Sequence, residues 1–130
     1  MPIAIRVKTN KRIDMVDVTS SVQEEVSRSG ISDGVCMVYV PHTTAAVTIN
    51  EGADPSVCQD ILTKLTEMVP PDAVYRHMEG NSDSHIKTSL VGNSVSVFVE
   101  NGQLVLGTWQ KIFFCEFDGP RSRKAYIKVY

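Results

Sequence analysis

Three histidines lie in polar segments of the sequence, where an imidazole is more suited to chemistry than to packing. His42 precedes a pair of threonines, and His77 and His85 flank a Gly-Asn-Ser-Asp turn at positions 80–83. Imidazole is the commonest metal ligand and the usual proton shuttle near neutral pH. If the three rings converge, they predict a zinc-type site with an open fourth position. The alternative is that all three are solvated or hydrogen-bonded loop residues, because no dense ligand motif such as His-Glu-x-x-His is present.

Carboxylates and amides occur at the same breaks between predicted elements. The candidates are Glu51, Asp54, Asn81 and Asp83. Such groups can act as general acid and base, or can orient imidazoles and hold a divalent cation. Asp54 is also explained as a helix N-cap, and Asn81 as a turn residue. Glu51 has no such explanation, because neither strand nor turn chemistry calls for glutamate at a strand end before glycine.

Cations suited to an anionic ligand complete the set of candidate residues. Lys87, Arg121 and Arg123 could meet phosphate oxygens, with arginine doing so through its planar fork. The competing interpretation is that these arginines are ordinary surface residues, because turns often carry arginine. Neither a Walker-type loop nor a Gly-x-Gly-x-x-Gly motif is present, so no nucleotide or flavin cofactor is expected. Trp109 starts a strand segment, where core packing is the expected role.

Length and composition place the chain among ordinary globular proteins. It has 130 residues, 42% of them hydrophobic and 22% charged, which predicts a single domain over residues 1–130. A formal charge of −2 disfavours a nucleic-acid partner, and no apolar run is long enough for a membrane span. The early charges near the N-terminus disfavour a signal peptide. Three widely spaced cysteines without a Cys-x-x-Cys motif indicate reduced thiols in a cytoplasmic protein.

Hydrophobic patterning predicts seven or eight strands and two helices, with residues 85–90 compatible with either a third helix or a strand. The first helix is expected between capping-box residues at 20–24 and Gly30, and the second runs from Asp54-Pro55 to Pro70-Pro71. An Asn101-Gly102 hairpin and a second hairpin around residues 118–121 follow. The prediction is an α+β fold, an antiparallel β-sandwich of two packed sheets. The predicted strands cover residues 2–8, 13–18, 35–40, 45–51, 94–100, 104–106, 109–117 and 124–130.

Several motifs occur together in one order and spacing, and as a set they are more specific than any single motif. They are residues 42–46 (HTTAA), 50–51 (NE), 54–55 (DP), 80–87 (GNSDSHIK), 107–110 (GTWQ) and 116–121 (EFDGPR). Together they closely resemble the YjbQ family of small bacterial and archaeal proteins, over essentially the whole chain. Ser84, where a small residue such as alanine is expected, is a mild variation.

The resemblance implies a β-sandwich assembled as a homotrimer, with sites at subunit boundaries. It also implies a weak, secondary thiamine-phosphate synthase activity, in which a pyrimidine diphosphate is joined to a thiazole phosphate and pyrophosphate is released. The family's polar motif falls on His42, Glu51, Asp54, His77, Asn81, Asp83, His85 and Lys87, and its basic turn falls on Arg121, with Arg123 as neighbour. A divalent metal, zinc or magnesium, would be held by His42, His77 and His85. The alternatives are a trimer that binds a metal or phosphorylated metabolite without catalysis, and a purely structural trimer.

Overall fold

Two antiparallel sheets and three helices make up the computed structural model, which describes residues 2–130. The five-stranded sheet has the order β1-β8-β3-β5-β6, and the three-stranded sheet has the order β2-β7-β4. The elements are β1 (Ile3–Lys8), β2 (Asp14–Asp17), α1 (Thr19–Ser29), β3 (Gly34–Tyr39), β4 (Ala45–Glu51), α2 (Pro55–Met68), α3 (Ser82–Val91), β5 (Ser94–Glu100), β6 (Gln103–Leu104), β7 (Gln110–Glu116) and β8 (Ser122–Val129). The predicted α+β class with two packed sheets is confirmed.

The main core is built from alternate residues of the strands, because successive side chains in a strand point to opposite faces. Val38 on β3, Ile127 on β8 and Phe114 on β7 are completely or almost completely buried in it. Helix α1 adds Val22 and Val26, both without exposed surface. Burying each valine stabilises the fold by about 1.5–3 kcal/mol relative to exposure.

Helix α2 covers the other face of the three-stranded sheet. Its apolar stripe, which includes Ile61 and Leu65, packs against a second cluster that contains Phe113 and Cys115 of β7. Asp54 caps the helix, since its Oδ1 accepts a hydrogen bond of 2.9 Å from the backbone N–H of Ser56. The sequence signals for this helix, an N-cap before proline and a stripe at helical spacing, are confirmed.

One local alternative is decided and two local predictions are corrected. Residues 85–90, compatible with a helix or a strand, lie inside helix α3. The capping boxes of α1 are replaced by an earlier contact, in which Asp17 Oδ1 accepts from the N–H of Thr19 at 2.9 Å. Trp109 is 63% exposed and so is not a core residue. The turn at Asn101-Gly102 is confirmed, with φ values of 52° and 73° that suit a type I′ hairpin.

The predicted hairpin around residues 118–121 is wrong, because its two strands lie in different sheets. β7 pairs with β2 and β4, whereas β8 pairs with β1 and β3. Each strand is therefore flanked on both sides by other partners. Residues 117–121 form a sheet-to-sheet corner, and this corner faces the loop between β1 and β2. None of the three helices described is long and apolar enough to cross a bilayer.

Close approach of backbone to backbone at the corner requires Gly119. Its N–H donates to the carbonyl oxygen of Arg12 at 2.9 Å, and a Cβ at this position would overlap the carbonyl oxygen of Lys11. We expect Gly119→Ala to lower the free energy of unfolding by about 1–3 kcal/mol, as overpacking typically does. Chemical denaturation measures this. Gly107→Ala is the control, because the added Cβ would meet only the flexible side chain of Gln110; equal loss in both variants would contradict the argument.

Candidate functional site

A completely buried carboxylate lies in the first turn of α3. Asp83 receives two hydrogen bonds of 3.1 Å from the guanidinium of Arg12, one to each carboxylate oxygen. Lys87, one helical turn later and also buried, donates from Nζ to Asp83 Oδ2 at 3.0 Å. The i,i+4 spacing brings Asp83 and Lys87 together on one side of the helix. The loop before β2 supplies the opposing cation.

The two cations keep this carboxyl group ionised. Burial alone would raise the pKa of Asp83, but the hydrogen bonds from Arg12 and Lys87 outweigh it, and the pKa lies below the ordinary value. A base with a lowered pKa and both oxygens engaged is poorly suited to accept a proton from a substrate. In this arrangement Asp83 positions Arg12 and Lys87.

A second carboxylate, Asp118 in the corner, joins α3 to the exposed cation of the site. Asn81 Nδ2 donates to Asp118 Oδ2 at 2.8 Å. Arg121 donates to the same oxygen at 3.0 Å and to the Asp118 carbonyl at 2.7 Å. The side chain of Arg121 is 54% exposed, so the turn presents it to solvent as the sequence predicts for a basic turn.

Arg123 is held in the interior by Glu116. Its Nε donates to Glu116 Oε1 at 2.9 Å, and a second ion pair joins the guanidinium to Oε2. Thr44 accepts a further hydrogen bond of 2.8 Å from Arg123, and Thr9 donates to Glu116 at 2.6 Å. Burial would raise the pKa of Glu116, but these hydrogen bonds lower it below the ordinary value. Phosphate binding by Arg123 would require breaking this buried pair.

The His42 side chain continues the hydrogen bonding between β3 and β8 beyond the end of their pairing. The pairing of β3 with β8 ends at Tyr39 and Tyr126, and beyond it the backbone N–H of Lys124 donates to His42 Nε2 at 3.1 Å. Burial lowers the pKa of His42, and the nearby cation of Arg123 lowers it further. The ring is therefore neutral at pH 7, and the hydrogen bond to Nε2 leaves its proton on Nδ1.

A polar cavity of about 460 Å³ separates His42 from helix α3. Thr88 on α3 is 9% exposed, and its Oγ1 is buried without a hydrogen-bond partner among residues 2–130. Buried hydroxyls in proteins are normally paired, and this unpaired one belongs to a residue that lines the cavity, with its oxygen closed off from it. The residues that line the cavity are His42, Thr43, His85, Thr88, Ser89, Gly92 and Asn93.

The three histidines are only partly brought together. His77 and His85 lie edge to face with ring centroids 5.5 Å apart, and His85 shares the cavity with His42. Within the described part of the chain, no group of three His, Cys, Asp or Glu side chains is placed to hold a metal ion. His42 also has its Nε2 engaged. These side chains do not fit a three-histidine metal site within one chain, and the zinc or magnesium site stays a prediction for the assembled protein.

The candidate site residues on helix α3 lie on two opposite sides of the helix. Residues two positions apart in a helix lie about 160° apart around its axis, so His85 points away from both Asp83 and Lys87. Glu51, the acidic candidate on β4, lies farther from the buried ion pairs, because it is six residues from Ala45, the partner of Glu116, or about 20 Å along the strand.

Glu51 and Asp54 form a local structure at that distant end. Glu51 accepts from the backbone N–H of Asp54 at 2.8 Å, and Asp54 caps α2. Hydrogen bonds from Ser56 lower the pKa of Asp54. Their proposed catalytic role stays a prediction that would require a second chain to bring them near the histidines.

Three residues of the site escape analysis of the sequence alone. Arg12 meets Asp83 across 71 residues, and the partner of Glu116 cannot be read from its own strand. Thr88 comes one residue after the motif at 80–87. A charged residue in an apolar run, as Glu116 is in β7, is the one signal that indicates a buried pair in advance.

Fold and site together define a small α+β sandwich whose polar residues gather around the N-terminal turns of one helix and one inter-sheet corner. The chain belongs to the family described as UPF0047 protein YjbQ-like, whose model matches residues 3–130. The UPF0047 protein YugU of Bacillus subtilis is 52% identical over 126 residues, 96% of each chain. A UPF0047 protein of Methanocaldococcus jannaschii is 52% identical over 124 residues, 95% of this chain and 90% of that one.

Solved structures of the family share the fold. A YjbQ/UPF0047 protein from Clostridium acetobutylicum is 50% identical with a TM-score of 0.97, covering 98% of this chain and 99% of that one. A protein of Sulfolobus solfataricus, described as YbjQ-like and of unknown function, is 36% identical with a TM-score of 0.95, covering 99% and 95%. The resemblance in the sequence motifs is thereby confirmed, while the activity is a matter for proposal.

Acid should weaken the protein through its two buried carboxylates. A carboxyl group with a lowered native pKa stabilises the fold above about pH 5 and loses that contribution as the pH falls through the native value. We expect the free energy of unfolding of the wild type to fall steeply below about pH 4.5. Glu116→Gln and Asp83→Asn should each be about 3–5 kcal/mol less stable at pH 7, and their free energy of unfolding should fall less steeply with decreasing pH. Denaturant unfolding between pH 3 and pH 7 measures both. Asp60→Asn, an exposed site on α2, should keep the wild-type slope; a wild-type slope in all three variants would contradict the assignment.

Proposed function

We propose that the chain is an enzyme with weak thiamine-phosphate synthase-like activity. In this reaction the thiazole nitrogen attacks the methylene carbon of the pyrimidine diphosphate, a C–N bond forms, the C–O bond breaks, and pyrophosphate leaves with the electron pair. The motifs at residues 80–87 and 116–121, on α3 and the corner, support the proposal because they carry the resemblance that implies this activity. The observation that carries it is a polar, ligand-sized cavity lined by two histidines and by Thr88, whose buried hydroxyl has no partner in the described residues.

The residue types suit a reaction whose main demand is stabilisation of a departing anion. Charge builds on pyrophosphate as the C–O bond breaks, and hydrogen-bond donors fixed in place stabilise such charge. His42 offers a fixed N–H and Thr88 an unpaired hydroxyl, whereas the Ser89 hydroxyl already donates to the carbonyl oxygen of His85 at 3.0 Å. Arg121 supplies an exposed cation from the corner. The reaction requires no covalent intermediate with the protein.

A second candidate function, binding of a phosphorylated metabolite without turnover, is favoured by one observation. Asp83, the best-placed carboxylate of the recognised motif, is fully engaged by Arg12 and Lys87. A site in which Asp83, Asp118 and Glu116 are each paired with a cation has less capacity for acid–base work than for binding. Release of pyrophosphate separates the two candidates.

Assembly as a homotrimer is part of the proposal, and the outer face of the five-stranded sheet is the proposed interface. Met37, Tyr39 and Phe98 point outward from β3 and β5, and Phe98 is 72% exposed. The Tyr39 and Tyr126 rings stack with centroids 6.5 Å apart. Contiguous exposed apolar groups of this kind mark interaction surfaces. A trimer would also place sites at subunit boundaries, where Glu51 and Asp54 could approach another chain. A cytoplasmic location and a bound divalent metal remain further expectations.

Phe98→Glu should break the assembly, because it places a charge in the apolar centre of the proposed interface. Size-exclusion chromatography with light scattering should report a trimer for the wild type and a monomer for the variant. Ser27→Glu on the exposed face of α1 adds the same charge elsewhere and should remain trimeric. A trimer that tolerates Phe98→Glu would place the interface on another surface.

His85→Ala should abolish pyrophosphate release from the two phosphorylated heterocycles, because it removes an imidazole that lines the cavity. The expected loss is at least about 100-fold, the usual contribution of a positioned acid–base group. Ile86→Ala, the exposed neighbour on the same helix, should retain turnover. If the wild type binds either substrate but releases no pyrophosphate with or without added magnesium or zinc, the binding protein is the correct account.

A further inference from the structure

The cavity beside α3 differs from the network around Asp83 in the kind of polar group that it offers. Among the residues that the structure describes, its lining includes no Asp or Glu, and it is made of imidazoles, hydroxyls, an amide and a glycine. Each cation of the network, in contrast, already has a carboxylate partner: Lys87 has Asp83, Arg121 has Asp118 and Arg123 has Glu116. A new anion would compete with those carboxylates at the network but not in the cavity.

The orientation of His42 decides what this residue can offer there. Because Nε2 accepts the N–H of Lys124, the neutral ring carries its proton on Nδ1. The ring can then donate one hydrogen bond through Nδ1, whereas metal binding at Nδ1 would move the proton to Nε2, against the N–H of Lys124. The backbone of β8 therefore fixes His42 as a donor.

Thr88 supplies an independent observation. Its hydroxyl is buried and, within residues 2–130, without a partner, although a helical threonine can usually bond the carbonyl four residues earlier. A buried hydroxyl left unpaired carries a free-energy cost that a bound oxygen would remove. The residue Thr88 lines the same cavity as His42.

We infer that the phosphoryl group of the ligand binds in this cavity, where His42 Nδ1–H donates to its oxygens and the Thr88 hydroxyl turns out of its buried position to donate as well. The cations on the Asp83 and Glu116 side of the site then have a structural role. The inference rests on the proposed function, because it names where the phosphorylated ligand of that function is held. His42 is a ligand-binding residue in this account and neither a metal ligand nor a general base.

Calorimetric titration with inorganic pyrophosphate tests the position of this binding site. Thr88→Val keeps the shape of the side chain and removes the hydroxyl, so binding should weaken about tenfold or more, while Thr88→Ser should bind within about threefold of wild type. Arg121→Gln should have a smaller effect than Thr88→Val. Should Arg121→Gln abolish binding while Thr88→Val leaves it intact, the anion binds at the corner, which overturns this inference and leaves the proposed function standing. A wild-type protein that binds no pyrophosphate overturns both.

A matched pair of substitutions at His42 tests its role as a donor. His42→Asn keeps an N–H near the position of Nδ1, whereas His42→Gln keeps an acceptor near the position of Nε2 for the Lys124 N–H and has no donor at the position of Nδ1. Pyrophosphate should bind more tightly to the asparagine variant, provided that thermal unfolding shows both variants folded.

Long-range ¹H–¹⁵N spectra of the wild type give a readout that does not depend on ligand binding or on these variants. They should place the His42 proton on Nδ1, in the protein as purified and after zinc is added. A proton on Nε2, or a zinc-induced shift of the His42 nitrogens, would overturn the assignment.

Discussion

A carboxylate buried away from water can stay ionised only when cations surround it, and this constraint at Asp83 organises the site. Lys87 comes from the same helix, but Arg12 comes from the loop between β1 and β2, so the pairing fixes α3 against a distant part of the chain. Gly119 holds that loop close to the corner.

Because this contact fixes one side of α3, it also fixes the direction in which the opposite side of the helix faces. The side that carries Asp83 and Lys87 is turned inward, and the side that carries His85 and Ser89 faces the loop with His42. Residues that are neighbours in the motif thus separate into a structural group and a group that faces a cavity. The three histidines lie on the cavity side, but within the described residues they form no metal site, because the cavity separates His42 from His85 and the Nε2 of His42 accepts from Lys124.

Local signals in the sequence predict the parts of the fold that local interactions decide. The Asp54 cap, the α2 stripe and the Asn101-Gly102 turn are of this kind, and so are most strands. The separation of β7 and β8 into two sheets depends on which strands flank them, which no short segment encodes. The partner of Asp83, 71 residues away, is a similar case. Linked motifs predict which residues matter, while the roles of Asp83, Arg123 and His42 emerge only from their partners.

A crystal structure of the protein with bound pyrophosphate would test the central claim, that the charged network is structural and the cavity receives the ligand. The account predicts density for the anion between His42 and Thr88, with the Asp83–Arg12–Lys87 and Glu116–Arg123 pairs unchanged. Density for the anion on Lys87 or Arg12, with Asp83 displaced from its partners, would contradict it.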